Sequence, residues 1–368
     1  MKYYIIAGEP SGDLHGSNLI KALKSEDNNT DIRCWGGNKM ENEGSVLVKH
    51  YKDLAFIGFL EVIKNLNTIL KNIKFCKADI LNYKPDVIVL IDYPGFNMRI
   101  AEWASKKGFK IVYYISPQVW AWKENRVKLL KKYVNKMIVI LPFEKEFYKN
   151  KWNWDVEYVG HPLLENIDNF ILENPKLKKD DKKIAILPGS RIQEILVKLP
   201  IMLEASKNFN AYKFVVAKAP GLPSEFYDKL LSGYSNVSFV NDKTYELLQT
   251  STAALVTSGT ATLETALFNV PEVICYKGNS ISYSIAKRLI KIKFIGLVNL
   301  IMNKEVVKEL IQNELNPTNI TTELNRILLD EEKINQIKID YKKLREMLTE
   351  KGSASQKAAN IIYKIAIS

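Results

Sequence analysis

Ile184-Ala185-Ile186-Leu187-Pro188-Gly189-Ser190-Arg191 is a short, uniformly apolar run that breaks into a glycine-containing turn. A strand apolar at every position is buried on both faces, as in a parallel sheet covered by helices. The N-terminus has the same pattern, Tyr3–Ala7 running into Gly8-Glu9-Pro10-Ser11-Gly12-Asp13. Similar runs occur at Val87–Ile91, Ile111–Ile115, Met137–Leu141, Phe214–Ala217, Val237–Val240, Ala253–Val256 and Val273–Tyr276, mostly with room for a helix between them. The alternation predicts an α/β fold made of two doubly wound domains, with a ligand cleft between them and helices at the C-terminus. The polar, lysine-rich stretch from Asn174 to Lys183 separates the two strand-turn-helix beginnings. The expected domains are therefore 1–175 and 176–345, with 346–368 as a C-terminal helix packing back on the first domain.

Composition narrows the function. The chain has 368 residues, 46% hydrophobic and 26% charged, enough to bury a full core, which excludes wholesale disorder. No apolar run approaches the roughly 18 residues of a membrane span, and the N-terminal run is too short for a signal peptide. Cys34, Cys76 and Cys275 are far apart and form no C-x-x-C pair, so a cytoplasmic address is expected, without disulfides or a zinc ribbon. His15, His50 and His161 are equally scattered, and no metal site or cofactor is expected. The net charge of +12 suits plain solubility, an anionic lipid surface or a phosphorylated substrate. Nucleic acid is not an expected partner, because zinc-finger spacing, RNP-like aromatics and a basic helix with heptads are all missing.

Three turns have the chemistry to hold phosphate. In the first, Gly8 and Gly12 allow close backbone approach and Ser11 offers a hydroxyl, while Glu9 ends a central strand. A plain β-α turn with Ser11 or Asp13 as a helix cap is the competing reading. The second is Leu187–Arg191, where Arg191 can grip a phosphate in two places although a cation opposes the helix dipole there. The third, Thr257-Ser258-Gly259-Thr260, opens a helix with exposed backbone N–H groups, and Glu264 further along could hold ribose hydroxyls or simply face solvent. Asp92, at the end of the buried run Val87–Ile91, is a candidate general base; the alternative is an Asp that organises the turn Asp92-Tyr93-Pro94-Gly95. No D-x-D occurs, which argues against a metal-held nucleotide diphosphate.

From Phe56 to Phe75, Phe59, Leu60, Val62, Ile63, Leu66, Ile69, Leu70 and Ile73 recur at helical spacing, with Lys64, Lys71 and Lys74 on the other face. Such a helix either packs on the sheet or lies in a bilayer surface with its lysines at anionic headgroups. Phe59, Leu66, Leu70, Lys64 and Lys71 are the candidate membrane contacts.

Ordered segments across almost the whole chain resemble the lipid-A-disaccharide synthase family. They include Gly8–Asp13, Ser116-Pro117-Gln118-Val119-Trp120-Ala121-Trp122, Leu141-Pro142-Phe143-Glu144, Val159-Gly160-His161-Pro162, Leu187–Arg191, Ser258–Glu264 and Leu297-Val298-Asn299-Leu300. The resemblance implies a GT-B fold of two Rossmann-like domains, the first on the acceptor and membrane side, the second on the UDP-sugar side. It implies transfer from UDP-2,3-diacylglucosamine to 2,3-diacylglucosamine 1-phosphate, giving a β-1,6-linked disaccharide 1-phosphate and UDP. By position it makes Asp92 the base, Arg191, Ser258, Gly259, Thr260, Glu264 and Asn299 the lining of the UDP site, and Glu9, Ser11 and Gly12 the opposite wall. The family often carries a second acid in the turn after the base, where this chain has Gly95. The expected location is the inner face of the inner membrane, with its anionic lipids as a partner and a second copy of the chain as a candidate partner. The alternatives are another GT-B enzyme, such as a UDP-N-acetylglucosamine epimerase or a soluble-acceptor transferase, and a peripheral membrane-binding protein without chemistry.

Overall fold

The computed structural model describes residues 1–53, 66–279, 283 and 292–368. The chain divides into two compact units, Met1–Pro162 with Leu348–Ser368, and Leu163–Met347. The first is built from β1 (Lys2–Ala7), α1 (Pro10–Glu26), β2 (Asp31–Gly36), α2 (Asn38–Asn42), β3 (Val46–His50), α3 (Leu66–Tyr83), β4 (Val87–Ile91) and α4 (Pro94–Lys106). It continues with β5 (Ile111–Tyr114), α5 (Arg126–Tyr133), β6 (Lys136–Val139), α6 (Pro142–Trp152) and β7 (Glu157–Tyr158). The strands form one sheet in the order β3-β2-β1-β4-β5-β6-β7, every pair parallel. The order reverses between β1 and β4, the switch point at which ligands of such sheets bind.

The apolar runs behave as the parallel-sheet argument requires. All five residues of β4 and all four of β5 are buried. Under one face of the sheet, Ile73, Cys76 and Ile80 of α3 pack with Trp35, Phe96 and Ile100. The polar edges of this core are satisfied in series, because Trp35 Nε1 donates to Tyr4 Oη at 2.8 Å and Tyr4 Oη donates to Asp79 at 2.8 Å.

The second unit runs through α7 (Leu163–Glu173), β8 (Asp180–Leu187), α8 (Ile192–Ser206), β9 (Lys213–Ala217), α9 (Ser224–Leu231), β10 (Val237–Val240), α10 (Thr244–Thr250) and β11 (Ser251–Thr257). It ends with α11 (Thr260–Leu267), β12 (Glu272–Tyr276), α12 (Leu297–Met302), β13 (Glu309–Ile311), α13 (Pro317–Leu329) and α14 (Glu331–Leu348). Its sheet order, β10-β9-β8-β11-β12-β13, repeats the doubly wound pattern with a switch point between β8 and β11.

The division falls one helix earlier than the lysine-rich stretch suggests. α7 buries Leu163, Leu164 and Ile167, and its Phe170 ring packs edge-on against Tyr245 at 5.4 Å and Phe268 at 6.0 Å. That aromatic contact makes α7 part of the second unit, so the boundary lies at Pro162/Leu163 and not at 175/176. The chain returns to the first unit at Leu348, whose carbonyl accepts from His161 N at 3.1 Å. Gly160, at φ +88°, passes close to the same carbonyl, where a Cβ would sit 3.2 Å away. The C-terminal helix α15 (Ala354–Ile367) packs on α1, with Gln356 and Asn360 donating to Glu26 at 2.5 and 3.4 Å.

Candidate functional site

At the switch point of the first unit, Ala7 and Ile91 are paired in register and their chains leave the sheet side by side as Gly8-Glu9 and Asp92-Tyr93. Both glycines of the first turn have internal reasons to be glycine. A Cβ on Gly8 would lie 2.3 Å from the Tyr93 ring, and one on Gly12 would lie 3.0 Å from Ala7 Cβ. Gly8 therefore admits the Tyr93 ring and Gly12 admits α1 onto β1. Asp13 does not cap its own helix. Its carboxylate accepts from the backbone N–H groups of Gly37, Met40 and Lys39 at 2.8, 3.1 and 3.2 Å, which caps α2. Glu9 stands at the N-cap of α1 without a side-chain capping bond and is half-buried, and Ser11 is exposed.

Asp92 and Tyr93 both adopt left-handed backbone, with φ +43° and +47°, and Ile115 beyond β5 does the same at +66°. Each such non-glycine residue costs about 1–3 kcal/mol, so the surroundings must impose the shape. They do so through the Asp92 carbonyl, which accepts from Tyr113 Oη at 2.6 Å and Asn97 Nδ2 at 2.9 Å. Asn97, fully buried, also donates to Ile91 O at 3.2 Å. The backbone of the turn is thus held by Asn97 and Tyr113, while the Asp92 carboxyl accepts from the Tyr93 N–H within the turn. Burial first, and then the Glu9 charge, push that carboxyl up to about 7, against the pull of the Tyr93 N–H. Gly95 is exposed with open space at its Cβ position.

A second carboxyl in this unit escaped the sequence reading. Glu144 is buried and pushed up to about 7, mainly by burial and also by Asp92. It accepts from Leu141 N at 3.0 Å, Ile140 N at 3.3 Å and Trp120 Nε1 at 3.1 Å. Glu144 therefore closes the start of α6 and ties the tryptophan segment to it, with Trp120 edge-on to Phe143 at 5.0 Å. The motif Leu141-Pro142-Phe143-Glu144 is legible as a proline-led helix start with a carboxylate reaching back.

In the second unit Leu187 and Val256 are paired, so the turns Pro188–Arg191 and Thr257–Thr260 emerge from neighbouring strands. Arg191 is exposed at the N-cap of α8 and pairs with Glu194 at 3.2 Å, which offsets the unfavourable dipole at that end. Glu194 also lies 3.6 Å from Lys198 Nζ, and the Lys198 ammonium donates to Thr257 Oγ1 at the end of β11. Lys198 is only 3% exposed, and burial lowers its pKa. A lysine in a helix reads as solvent-facing, so nothing in the sequence singled it out. Gly259, at φ +130° and with open space around it, starts α11, with half-buried Ser258 and Thr260 on either side. Glu264, one turn further on, accepts from Tyr245 Oη at 3.2 Å.

Asn299 is not available to a ligand. It is fully buried, its Nδ2 donates to Val307 O at 2.8 Å and Glu309 Oε1 at 2.9 Å, and its Oδ1 accepts from Val306 N and Val307 N at 2.8 and 3.1 Å. Glu309 in turn accepts from Ile295 N and Gly296 N at 2.9 and 3.0 Å, and Ser258 Oγ donates to Ile295 O at 3.2 Å. Asn299 works from behind, fixing the loop against which Ser258 rests.

On α3 the apolar stripe is split between two environments. Ile73 is 6% exposed and belongs to the core, whereas Leu70 is 53% exposed and Lys71 is exposed beside it. The helix continues through Tyr83, past the expected end at Phe75. Leu66 is its first residue, while Phe59 and Lys64 lie outside the described residues. Among the described residues no helix is long and apolar enough to cross a membrane.

Comparison with known proteins agrees with this architecture. A family model described as lipid-A-disaccharide synthetase matches residues 3–365. A lipid-A-disaccharide synthase of Syntrophus aciditrophicus is 37% identical over 365 residues, covering 96% of this chain and 95% of that protein. One from Coxiella burnetii is 37% identical over 373 residues, covering 99% and 98%. Among solved structures, the UDP-GlcNAc 2-epimerase of Neisseria meningitidis superposes with a TM-score of 0.67 at 12% identity over 100% of both chains. A glycotransferase of kitacinnamycin gives 0.67 at 11% identity over 99% of both. At such identities the solved structures speak for the fold alone, which they share as two Rossmann-like units of GT-B type. The full-length family match and the relatives' coverage are decisive for the activity: the chain belongs to the lipid-A-disaccharide synthase family and is a hexosyltransferase that moves a sugar from a UDP-sugar donor to a lipid acceptor.

Proposed function

We propose that the donor is UDP-2,3-diacylglucosamine, that the acceptor is 2,3-diacylglucosamine 1-phosphate, and that Asp92 is the general base. The observation that carries the assignment is the Asp92 carboxyl, held at the switch point of the first sheet and pushed up to about 7, where a base works best near neutral pH. Asp92 takes the proton from the acceptor 6-hydroxyl as that oxygen attacks C1 of the donor sugar. The bond from C1 to the diphosphate oxygen breaks on the opposite face, so the product is β-1,6-linked and UDP leaves. Negative charge grows on the departing diphosphate. The exposed Arg191 guanidinium and the N–H groups at Gly259 and Thr260 are suited to stabilise it, and Glu264 is suited to the ribose hydroxyls. Ser258 shapes the turn, and Asn299 positions it. Glu9 acts on the chemistry by raising Asp92, and Ser11 offers its exposed hydroxyl nearby in sequence.

Both substrates carry acyl chains, which gives the exposed part of α3 a purpose. Leu70, with Lys71 beside it, supports peripheral binding to the anionic inner face of the inner membrane. The test is a product assay with the two named lipid sugars: a disaccharide 1-phosphate and equimolar UDP are expected from wild-type protein. Release of free N-acetylated sugar epimers, or transfer to soluble sugars at the same rate, would overturn the reading.

A further inference from the structure

The loop that follows β5, together with the first residue of α5, carries an aromatic residue and two cations that the chemistry above does not use. Trp122 is 44% exposed. Lys123 Nζ lies 4.4 Å from its ring centroid and the Arg126 guanidinium carbon lies 5.4 Å from it. Among the described residues neither cation forms an ion pair. Glu124, the acid between them in sequence, turns instead to Trp152 Nε1 at 3.2 Å and Lys151 Nζ at 3.5 Å. Lys123 holds a left-handed backbone, φ +54°, of the kind that clusters at ligand sites. Two like charges gathered on one ring, without a carboxylate to neutralise them, suit an anion as the missing partner.

The loop is tied into the unit that carries Asp92. Ser116 Oγ and Tyr148 Oη share a hydrogen bond of 2.6 Å, Trp120 is tied to Glu144, and Arg126 N donates to Lys123 O at 3.0 Å. β5 is the strand beside β4, and its Tyr113 hydroxyl donates to the Asp92 carbonyl. The Arg126 charge reaches that same hydroxyl, opposing the upward push of burial on it.

We propose that Lys123 and Arg126, gathered on Trp122, seat the phosphate monoester of the sugar acceptor. The proposal rests on the reading of Asp92 as the base for that acceptor. In a glucosamine 1-phosphate the phosphate-bearing C1 and C5, which carries the 6-hydroxymethyl group, flank the ring oxygen, so the ring holds the phosphate within a limited span of the 6-hydroxyl. Neighbouring strands lie about 4.8 Å apart, a spacing comparable with the width of a sugar ring. β4 and β5 are parallel neighbours, so Asp92 and the loop after β5 leave the sheet at the same edge, and a phosphate seated on that loop keeps the 6-hydroxyl on the Asp92 side of the sheet. The guanidinium can donate two parallel hydrogen bonds to phosphate oxygens, and the lysine adds a point charge.

The experiment compares 2,3-diacylglucosamine 1-phosphate with the same lipid sugar lacking the phosphate, both in neutral detergent micelles, measuring transfer kinetics and equilibrium binding of each. Wild-type protein should prefer the phosphorylated acceptor. Arg126→Ala should raise its KM about 10–100-fold while leaving the donor KM and the melting temperature unchanged. Against the phosphate-free acceptor the variant and wild type should be equal, and Arg126→Lys should restore part of the preference. Lys123→Ala, read in the same way, serves if Arg126→Ala does not fold. Equal losses on both acceptors would overturn the proposal. So would intact discrimination in micelles accompanied by lost binding to phosphatidylglycerol vesicles, which would make this surface a membrane contact. A wild-type protein that forms no disaccharide yet binds the phosphorylated sugar through Arg126 would reject the proposed function and keep the phosphate seat.

Discussion

Replacing Asp92 with Asn separates what the carboxyl does for chemistry from what it costs the fold. In the native protein it is pushed from 3.8 up to about 7. Its folded value is raised, so the native state holds the proton more tightly than the unfolded chain does. The stability this confers is complete below about pH 4 and is lost as the pH rises through about 7. The full difference corresponds to about 4 kcal/mol, and the half-buried position of the group lets solvent reduce it to about 2 kcal/mol. Asn keeps the shape and carries no charge. At about pH 8 the variant should therefore be more stable than wild type by about 2 kcal/mol, or about 4–8 °C in Tm. At about pH 5 the advantage should shrink to less than half. Activity should move the other way, falling by about 10²–10⁴ with UDP affinity unchanged. In wild type, kcat/KM should decline about tenfold for each pH unit below about 7 as Asp92 takes up its proton. Thermal melts at the two pH values, together with initial rates across a pH series, test both halves. An identical Tm difference at both pH values would refute the burial argument. Turnover within a few-fold of wild type would reject Asp92 as the base.

Arg191→Ala should weaken UDP binding about 10–100-fold in a titration, and EDTA should leave the rate of transfer unchanged; strict dependence on added Mg²⁺ or Mn²⁺ would contradict a diphosphate held by Arg191 and helix N–H groups. Asp13→Ala leaves the N–H groups of Gly37, Lys39 and Met40 without their acceptor, and should lower stability by about 2–4 kcal/mol in denaturant melts while sparing UDP affinity. Leu70→Glu should leave Tm within about 1–2 °C of wild type, because the side chain is 53% exposed, and should weaken binding to anionic vesicles about tenfold. A large fall in Tm would make Leu70 a core residue.

The strands that were legible are those whose surroundings are uniform. β4, β5 and β11 are apolar along nearly their whole length because helices cover both faces, and the sequence reports that directly. β2 is missed because Asp31 and Arg33 interrupt its pattern. Arg33 is accommodated by an ion pair with Asp79 at 3.1 Å and by the Tyr83 ring at 5.5 Å, partners distant in sequence. β3, β7 and β13 are three of the four sheet edges, short strands where no run of apolar residues is required, whereas the fourth edge, β10, keeps Val237, Phe239 and Val240 and is legible. The position of α7 depends on Phe170 meeting Tyr245 and Phe268, again a long-range fact, and so a lysine-rich stretch looked like the more natural boundary. Lys198 escaped for the same reason, since a charged residue on a helix is ordinarily solvated; the reach-back of Glu144 is legible in Leu141–Glu144, and only its burial needs the fold.

The glycine turns show where motif reading and geometry part. Gly8, Gly12 and Gly189 each face an internal obstacle, the Tyr93 ring, Ala7 and the Glu194 carboxylate, so their small size serves the packing of each turn on its own unit. Gly259 has no such obstacle, and its left-handed φ of +130° opens the start of α11 to whatever approaches. The first unit therefore spends its glycines on shaping Asp92, through a ring laid over Gly8 and a backbone held by Asn97 and Tyr113, while the second leaves a glycine bare beside Thr260. A residue that must lose and regain a proton needs a fixed, partly desolvated carboxyl; a diphosphate needs unencumbered N–H groups and an exposed cation such as Arg191. The different use of glycine in two sheets of the same winding follows from that difference in chemistry.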